Sequence, residues 1–101
     1  MLAAAAFKDL RSYIKRRIVY AKYRVGDVSY KTELTDVSIL ADGTVRAQLS
    51  IIPGDTVTVN RVELYNSDSE LWAYQNCNIT ISTGQTGILY WFDFSVVEEE
   101  V

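Results

Sequence analysis

The chain has 101 residues, of which 49% are hydrophobic and 23% charged, values that are ordinary for one globular domain. Its formal net charge of −3 argues against nucleic acid or an anionic membrane as a partner. It contains no histidine and a single cysteine, Cys77, so the commonest general base and metal ligand are missing and no internal disulfide can form.

Residues 2–17 are predicted to form an amphipathic helix. The segment starts with four alanines, which have the best helix propensity. Ala3, Phe7, Leu10 and Ile14 recur at steps of four, three and four, which places them on one stripe. The stripe fits three roles: capping the sheet, docking on a neighbouring subunit, or lying on a membrane surface. We take Phe7, Leu10 and Ile14 as candidate interface residues. The apolar start is too short for a secretory signal and no run approaches a membrane span, which predicts cytosolic synthesis.

The rest of the chain is predicted to contain about eight short strands. They cover residues 18–24, 28–34, 37–41, 44–52, 56–65, 70–75, 78–81 and 88–97. Asp42-Gly43 predicts a two-residue hairpin turn of the primed type, in which both residues have positive φ. At Asn60–Arg61 the alternation slips by one residue, which predicts a β-bulge.

These patterns predict an all-β fold, an antiparallel β-sandwich of the Ig-like or jelly-roll-like kind, with one N-terminal amphipathic helix. The predicted domain organisation is a helix at 1–17, the sandwich at 18–97 and an acidic tail at 98–101. In the last strand, Ile88, Tyr90, Phe92, Phe94 and Val96 share one face. The first half of that strand is apolar on both faces, so we expect it to be covered on both.

Few residues suggest catalysis. Asp93 stands in an aromatic strand and either forms a catalytic carboxylate pair with Glu63 or Glu70, or pairs with Arg46 or Arg61. The chain has no histidine to activate the Cys77 thiol, so we interpret Cys77 as a small buried apolar residue. Aspartates in the predicted turns match no spaced calcium loop. We therefore expect a protein that is not an enzyme and uses no cofactor or metal.

The aromatic residues are the remaining candidates for function. Trp72, Tyr74 and Trp91 fit a packed core, the centre of a protein interface, or a platform that stacks on sugar rings. The pattern alone leaves these three roles open.

The second half of the chain carries a family resemblance. Its motifs are Val62-Glu63-Leu64-Tyr65, the turn Ser67-Asp68-Ser69, Glu70-Leu71-Trp72-Ala73, and Ile88-Leu89-Tyr90-Trp91-Phe92-Asp93-Phe94. This pattern resembles small virion structural proteins of tailed bacteriophages and prophages, of the tail-fibre, baseplate and neck class. The N-terminal helix has no counterpart in that pattern.

The resemblance implies an assembly role in a virion that is put together in the cytoplasm of a bacterial host. The expected partners are further copies of the chain, contacted through aromatic sheet faces and the helix, and other virion proteins. The alternative is a carbohydrate-binding β-sandwich module that holds a glycan on exposed Trp and Tyr side chains.

Overall fold

A computed structural model describes residues 2–82 and 87–96. Its elements are α1 (Ala4–Arg17), β1 (Ile18–Val25), β2 (Val28–Ile39), β3 (Val45–Ile51), β4 (Val57–Asn66), β5 (Leu71–Ile81) and β6 (Ile88–Phe94). The strands form one sheet in the order β5-β4-β1-β2-β3-β6, and each neighbouring pair is antiparallel. The predicted all-β class and the N-terminal helix are therefore confirmed. The predicted acidic tail at 98–101 lies outside the described residues.

The sheet curls until its two edge strands almost meet. The Tyr90 hydroxyl on β6 donates to Gln75 Oε1 on β5 at 2.6 Å, and the ring centroids of Trp72 and Phe94 are 6.2 Å apart. The side chains inside form one cluster: Ile18, Ala21, Ala47, Leu49, Ile51, Val59, Val62, Leu64, Ile81 and Phe92. Because strands from both halves of the sheet contribute to this cluster, the fold is a nearly closed barrel.

The prediction of an eight-stranded sandwich is wrong for the described residues, which form six strands. Predicted strands 28–34 and 37–41 are one strand, β2, and predicted strands 70–75 and 78–81 are one strand, β5. The polar residues between them mark irregularities of pairing and do not end the strand. In β2 the register changes at Thr35, where one extra residue is inserted opposite β3. Such a bulge bends a strand without breaking it.

This bend explains why a single sheet closes on itself. Up to Glu33, β2 pairs with β1, and from Leu34 onward it pairs with β3. The strand therefore turns the corner between two walls of the barrel. Thr32 Oγ1 donates to the Ser50 carbonyl at 2.8 Å just before the corner, where the two backbones separate.

The hairpin at Asp42-Gly43 exists but has a different turn from the one predicted. Leu40 N donates to the Thr44 carbonyl at 2.8 Å, which leaves a three-residue loop at 41–43. Only Gly43 has positive φ, at 89°. Asp42 instead accepts the Thr44 N–H on Oδ1 at 2.9 Å, so its carboxylate stabilises the loop without a left-handed backbone.

The predicted bulge at Asn60–Arg61 is confirmed in position. The pairing of β4 with β5 changes register between Val59 and Arg61. Between these pairs β4 has one residue, Asn60, and β5 has two, 77–78, so β5 carries the extra residue. On either side of this irregularity Val59 and Val62, three positions apart on β4, are both buried in the barrel.

The outer row of β6 contradicts the expectation that both faces of this strand are covered. Phe92 is buried, but Leu89 and Trp91, which alternate with the inner row, are 59% and 47% exposed. β6 is an edge strand, and no described element packs over its outer face. Alternation alone predicts which residues share a face and leaves open whether a second layer exists.

The helix covers one end of the barrel. Ile14 packs against the core cluster, beside the buried Ile18 that begins β1. At the helix end the Arg17 guanidinium donates to Ser67 Oγ and to Asp68 Oδ2, both at 3.2 Å. The helix is therefore held against the turn between β4 and β5. Among residues 2–82 and 87–96, no helix has the length and apolar character needed to cross a bilayer.

Candidate interaction surfaces

The outward side of α1 carries an apolar groove. Its lining residues are Leu2, Ala6, Asp9, Leu10, Tyr13 and Arg16. Leu10 is 42% exposed and Tyr13 is also exposed. We call this surface the helix groove. It is mostly apolar, with one acidic and one basic side chain at its border.

The predicted helix stripe is divided between two surfaces. Ile14 packs against the core and Phe7 is half-buried, whereas Leu10 is exposed in the helix groove. The apolar arc of the helix is wider than the barrel end can cover, because alanine and tyrosine extend it on one side. Of the three predicted helix residues, Leu10 is thus the one available to a partner.

A second surface lies on the outer side of β3 and β6, around Trp91. The Arg46 guanidinium makes a bidentate ion pair with Asp93: Nε donates to Oδ1 at 2.8 Å and Nη2 donates to Oδ2 at 2.9 Å. The same guanidinium lies 4.9 Å from the Trp91 ring centroid. The bonds from Arg46 hold the pKa of the Asp93 carboxyl below its usual value. Asp36 is placed next to Trp91 by the register, because both flank Gln48.

A third surface lies on the outer side of β1, β4 and the first half of β2. The outward positions, taken across the strands, are Glu33, Tyr20 and Tyr65; Lys31, Lys22 and Glu63; and Ser29, Arg24 and Arg61. Four basic and two acidic residues give this surface, which we call the basic face, a net charge of +2. The rest of the protein is correspondingly more acidic, since the whole chain has −3.

Tyrosine rings hold two lysine side chains of the basic face in fixed positions. Tyr20 and Tyr65 are stacked, with centroids 5.1 Å apart and planes 3° from parallel. Lys31 Nζ lies 4.5 Å from the Tyr20 centroid and Lys22 Nζ lies 4.9 Å from that of Tyr65. The negative ring faces hold these ammonium groups in place.

Glu63 is the buried acid beneath this layer. It stands on the outer side of the sheet, yet only 3% of it is exposed. Its carboxylate is 3.1 Å from Arg61 Nε and accepts the Tyr65 hydroxyl at 3.2 Å. Arg61 in turn lies 4.0 Å from the centroid of Tyr74 on β5. Sequence reasoning missed this cluster, although the alternation Arg61, Glu63, Tyr65 was a signal for it.

The three aromatic residues predicted for an interface or a glycan do not form one platform. Trp72 packs against the core and Phe94. Tyr74 projects from β5 on the wall that carries the basic face, and Trp91 projects from β6 on the other wall. Of the three, Trp91 and Tyr74 are exposed.

The chemical candidates are also dispersed. Asp93 pairs with Arg46, as one of the two alternatives predicted, and is on a different wall from Glu63. Cys77 is half-buried, its thiol donates to the Val59 carbonyl at 3.5 Å, and burial raises its pKa, which disfavours the thiolate. Within the described part of the chain, no group of three or more metal-ligating side chains is placed to hold a metal ion.

The fold is thus a helix-capped antiparallel barrel with an exposed apolar groove on its helix and two outer faces of different charge. Comparison with protein-family models, curated proteins and solved structures finds no match for this chain.

Proposed function

We propose that this protein is a non-enzymatic structural subunit that associates with further copies of itself. The observation that carries the proposal is the helix groove. Leu10 and Tyr13 are exposed there side by side, on a helix whose opposite side is already packed on the barrel. A helix that is apolar on two sides commonly buries both, one in its own domain and one against a partner.

A second copy of the helix suits the groove better than an unrelated apolar segment, because the border charges are self-complementary. In an antiparallel pair centred between positions 12 and 13, Asp9 of one copy lies opposite Arg16 of the other, and this contact occurs twice. The same register places Leu10 within two residues of the partner's Tyr13, about 3 Å along the helix axis, so their side chains can pack together. A two-fold contact of this kind is isologous, the commonest arrangement in homo-oligomers.

We further propose that the assembly belongs to a tailed phage or prophage virion, as a tail, baseplate, neck or fibre component. The support is the resemblance of residues 62–73 and 88–94 to that class. A subunit of this kind needs surfaces for its own copies and for other virion proteins. Exposed side chains on both walls of the barrel, Trp91 and Tyr74 among them, leave room for such contacts.

The test is the concentration dependence of mass, measured by sedimentation velocity. The wild-type chain should form dimers or larger species at micromolar concentration. Leu10→Gln should weaken the association at least about tenfold, because it places an amide in the buried contact. Val28→Gln changes another exposed apolar residue, in the β1–β2 hairpin away from the helix. It is the matched control and should leave the association unchanged. A wild-type chain that is monomeric up to about millimolar concentration contradicts the proposal.

A further inference from the structure

We infer that copies of this chain also associate head to tail, with the basic face of one copy against an acidic face of the next. This inference rests on the proposed function and names a second contact within it. The acidic face is the outer side of β3, β6 and the second half of β2, with its adjoining hairpin. Its strands and hairpin carry Asp36, Asp42, Asp93 and Arg46, with a net charge of −2, and the Arg11 guanidinium of the helix lies against the hairpin at Gly43, which reduces this to −1.

The two faces lie on opposite sides of the molecule. In the strand order, three steps separate β1 from β6 and β4 from β3, which is half of a six-stranded circuit. The inner side chains of both sets meet in one core cluster, so their outer sides point away from each other. A basic face does not pair with the same face of a second copy across a two-fold axis, and two faces on opposite sides of the molecule cannot both contact one partner. The basic face therefore pairs with the acidic face of the next copy, which generates a ring or a filament.

The basic face contains like-charge pairs that its own acids compensate only in part, which points to an anionic partner. Lys22 and Lys31 are directly opposite on β1 and β2, and Arg24 and Arg61 are directly opposite on β1 and β4. Like charges at such positions destabilise a sheet. Glu63 is directly opposite Lys22 and bonds Arg61, so one carboxylate serves one member of each pair, while the ammonium groups of Lys22 and Lys31 lie over tyrosine rings. An arriving carboxylate therefore relieves a cost that the isolated fold carries.

The charge distribution along the chain supplies that carboxylate from another copy. Residues 1–31 contain eight of the ten basic residues and only two of the thirteen acidic ones. The remaining residues hold eleven acids and two bases, and three of these acids, Asp36, Asp42 and Asp93, lie on the acidic face. Opposite charges of this kind steer two copies into one orientation and disfavour the reverse.

Each face spans three strands, and β1 and β3 have eight and seven residues. At about 4.8 Å between strands and about 3.3 Å per residue, each face covers roughly 14 × 25 Å, the size of a small contact that repetition along a ring or filament reinforces. Trp91 and Leu89, both exposed on the acidic face, supply apolar area there, and Tyr20 with Tyr65 supply it at one end of the basic face. Apolar area bordered by charged side chains is typical of specific interfaces.

The experiment reverses the sign of the charge on each face in a separate variant. A basic-face variant, Arg24→Glu with Lys31→Glu, has two acidic faces, and an acidic-face variant, Asp36→Lys with Asp42→Lys, has two basic faces. By sedimentation velocity in low salt, the wild type should form species larger than a dimer. Each variant alone should stop at the dimer made by the helix groove, and an equimolar mixture should restore the larger species. Lys8→Glu, an exposed charge reversal on the helix, is the control and should behave as the wild type.

Salt gives an independent readout. The larger species should dissociate at least about tenfold more readily at 500 mM than at 50 mM salt, whereas the helix-groove dimer should change little. Larger species that survive both reversals, or a mixture of variants that stays dimeric, would overturn the inference and leave the proposed function standing. Binding of an oligonucleotide to the basic face with no wild-type species beyond a dimer would overturn it as well. A wild-type chain that is strictly monomeric overturns both.

Discussion

Glu63→Gln tests whether the buried carboxylate of the basic face stabilises the barrel. Glu63 is buried, and its two contacts are an ion pair with Arg61 at 3.1 Å and a hydrogen bond from Tyr65 at 3.2 Å. Bonds to a charged group contribute about 1.5–3 kcal/mol, but the Arg61 side chain is 22% exposed, so water screens part of the ion pair. We therefore expect a loss of about 2 kcal/mol in the free energy of unfolding.

The substitution keeps the shape of the side chain and removes its charge, so the loss measures the electrostatic contribution. It also raises the net charge of the basic face and leaves Arg61 and Lys22 without their nearest acid. For a domain of this size the expected fall in Tm is about 8–16 °C. Urea unfolding followed by tryptophan fluorescence gives the free energy, and circular dichroism gives Tm.

Glu33→Gln is the matched control, because Glu33 is an exposed acid on the same face. Its removal should change the free energy of unfolding by less than about 0.5 kcal/mol. Equal effects of Glu63→Gln and Glu33→Gln would refute the reasoning, since they would mean that water replaces the carboxylate without cost.

Two further predictions concern the backbone and the response to acid. Gly87→Ala should destabilise the protein by about 1–3 kcal/mol in urea unfolding, because φ is +108° and a Cβ would lie 2.6 Å from the Ile51 carbonyl oxygen. Gly54→Ala, where a Cβ meets nothing within 4 Å, should be nearly neutral, and equal losses would contradict the argument. Arg46 lowers the pKa of Asp93 in the folded state. The ion pair therefore contributes fully to the free energy of unfolding above the unfolded pKa of about 3.9, and this contribution is lost as pH falls through the folded pKa. Asp93→Asn should therefore flatten the decrease of Tm between about pH 4 and pH 2, and an unchanged slope would count against this role.

The turns show which local features can be read from sequence. The turn after β4 is polar, as predicted, because Asn66 Oδ1 accepts the backbone N–H of Asp68 and of Glu70, both at 3.0 Å. Asparagine makes such bonds within a few residues of itself. At Asp42-Gly43 the position of the turn was also predictable, but its type depended on the pairing of Leu40 with Thr44.

The interaction surfaces show the limit of that reasoning. The stripe containing Phe7, Leu10 and Ile14 was visible as one set, yet the barrel end covers Ile14 and leaves Leu10 exposed. The distance from Lys22 to a tyrosine on β4, and the burial of Glu63 beneath it, required knowing that β1 lies between β2 and β4. Strands that pair with each other are distant in sequence, so a local sequence pattern does not predict which strands are neighbours.

Sequence alone therefore determined the helix, the alternation of inner and outer residues where a strand is regular, and the positions of the turns at Asp42-Gly43 and after Asn66. These follow from helical propensity, from the two-residue period of a strand, and from the bonding of turn residues to their neighbours. Only the tertiary structure decided that two bulged strands replace four, that six strands close into a barrel, and that its opposite walls differ in charge. The physical reason is that strand order and closure depend on side chains far apart in the chain meeting in one core, as Leu64 on β4 and Leu49 on β3 do here.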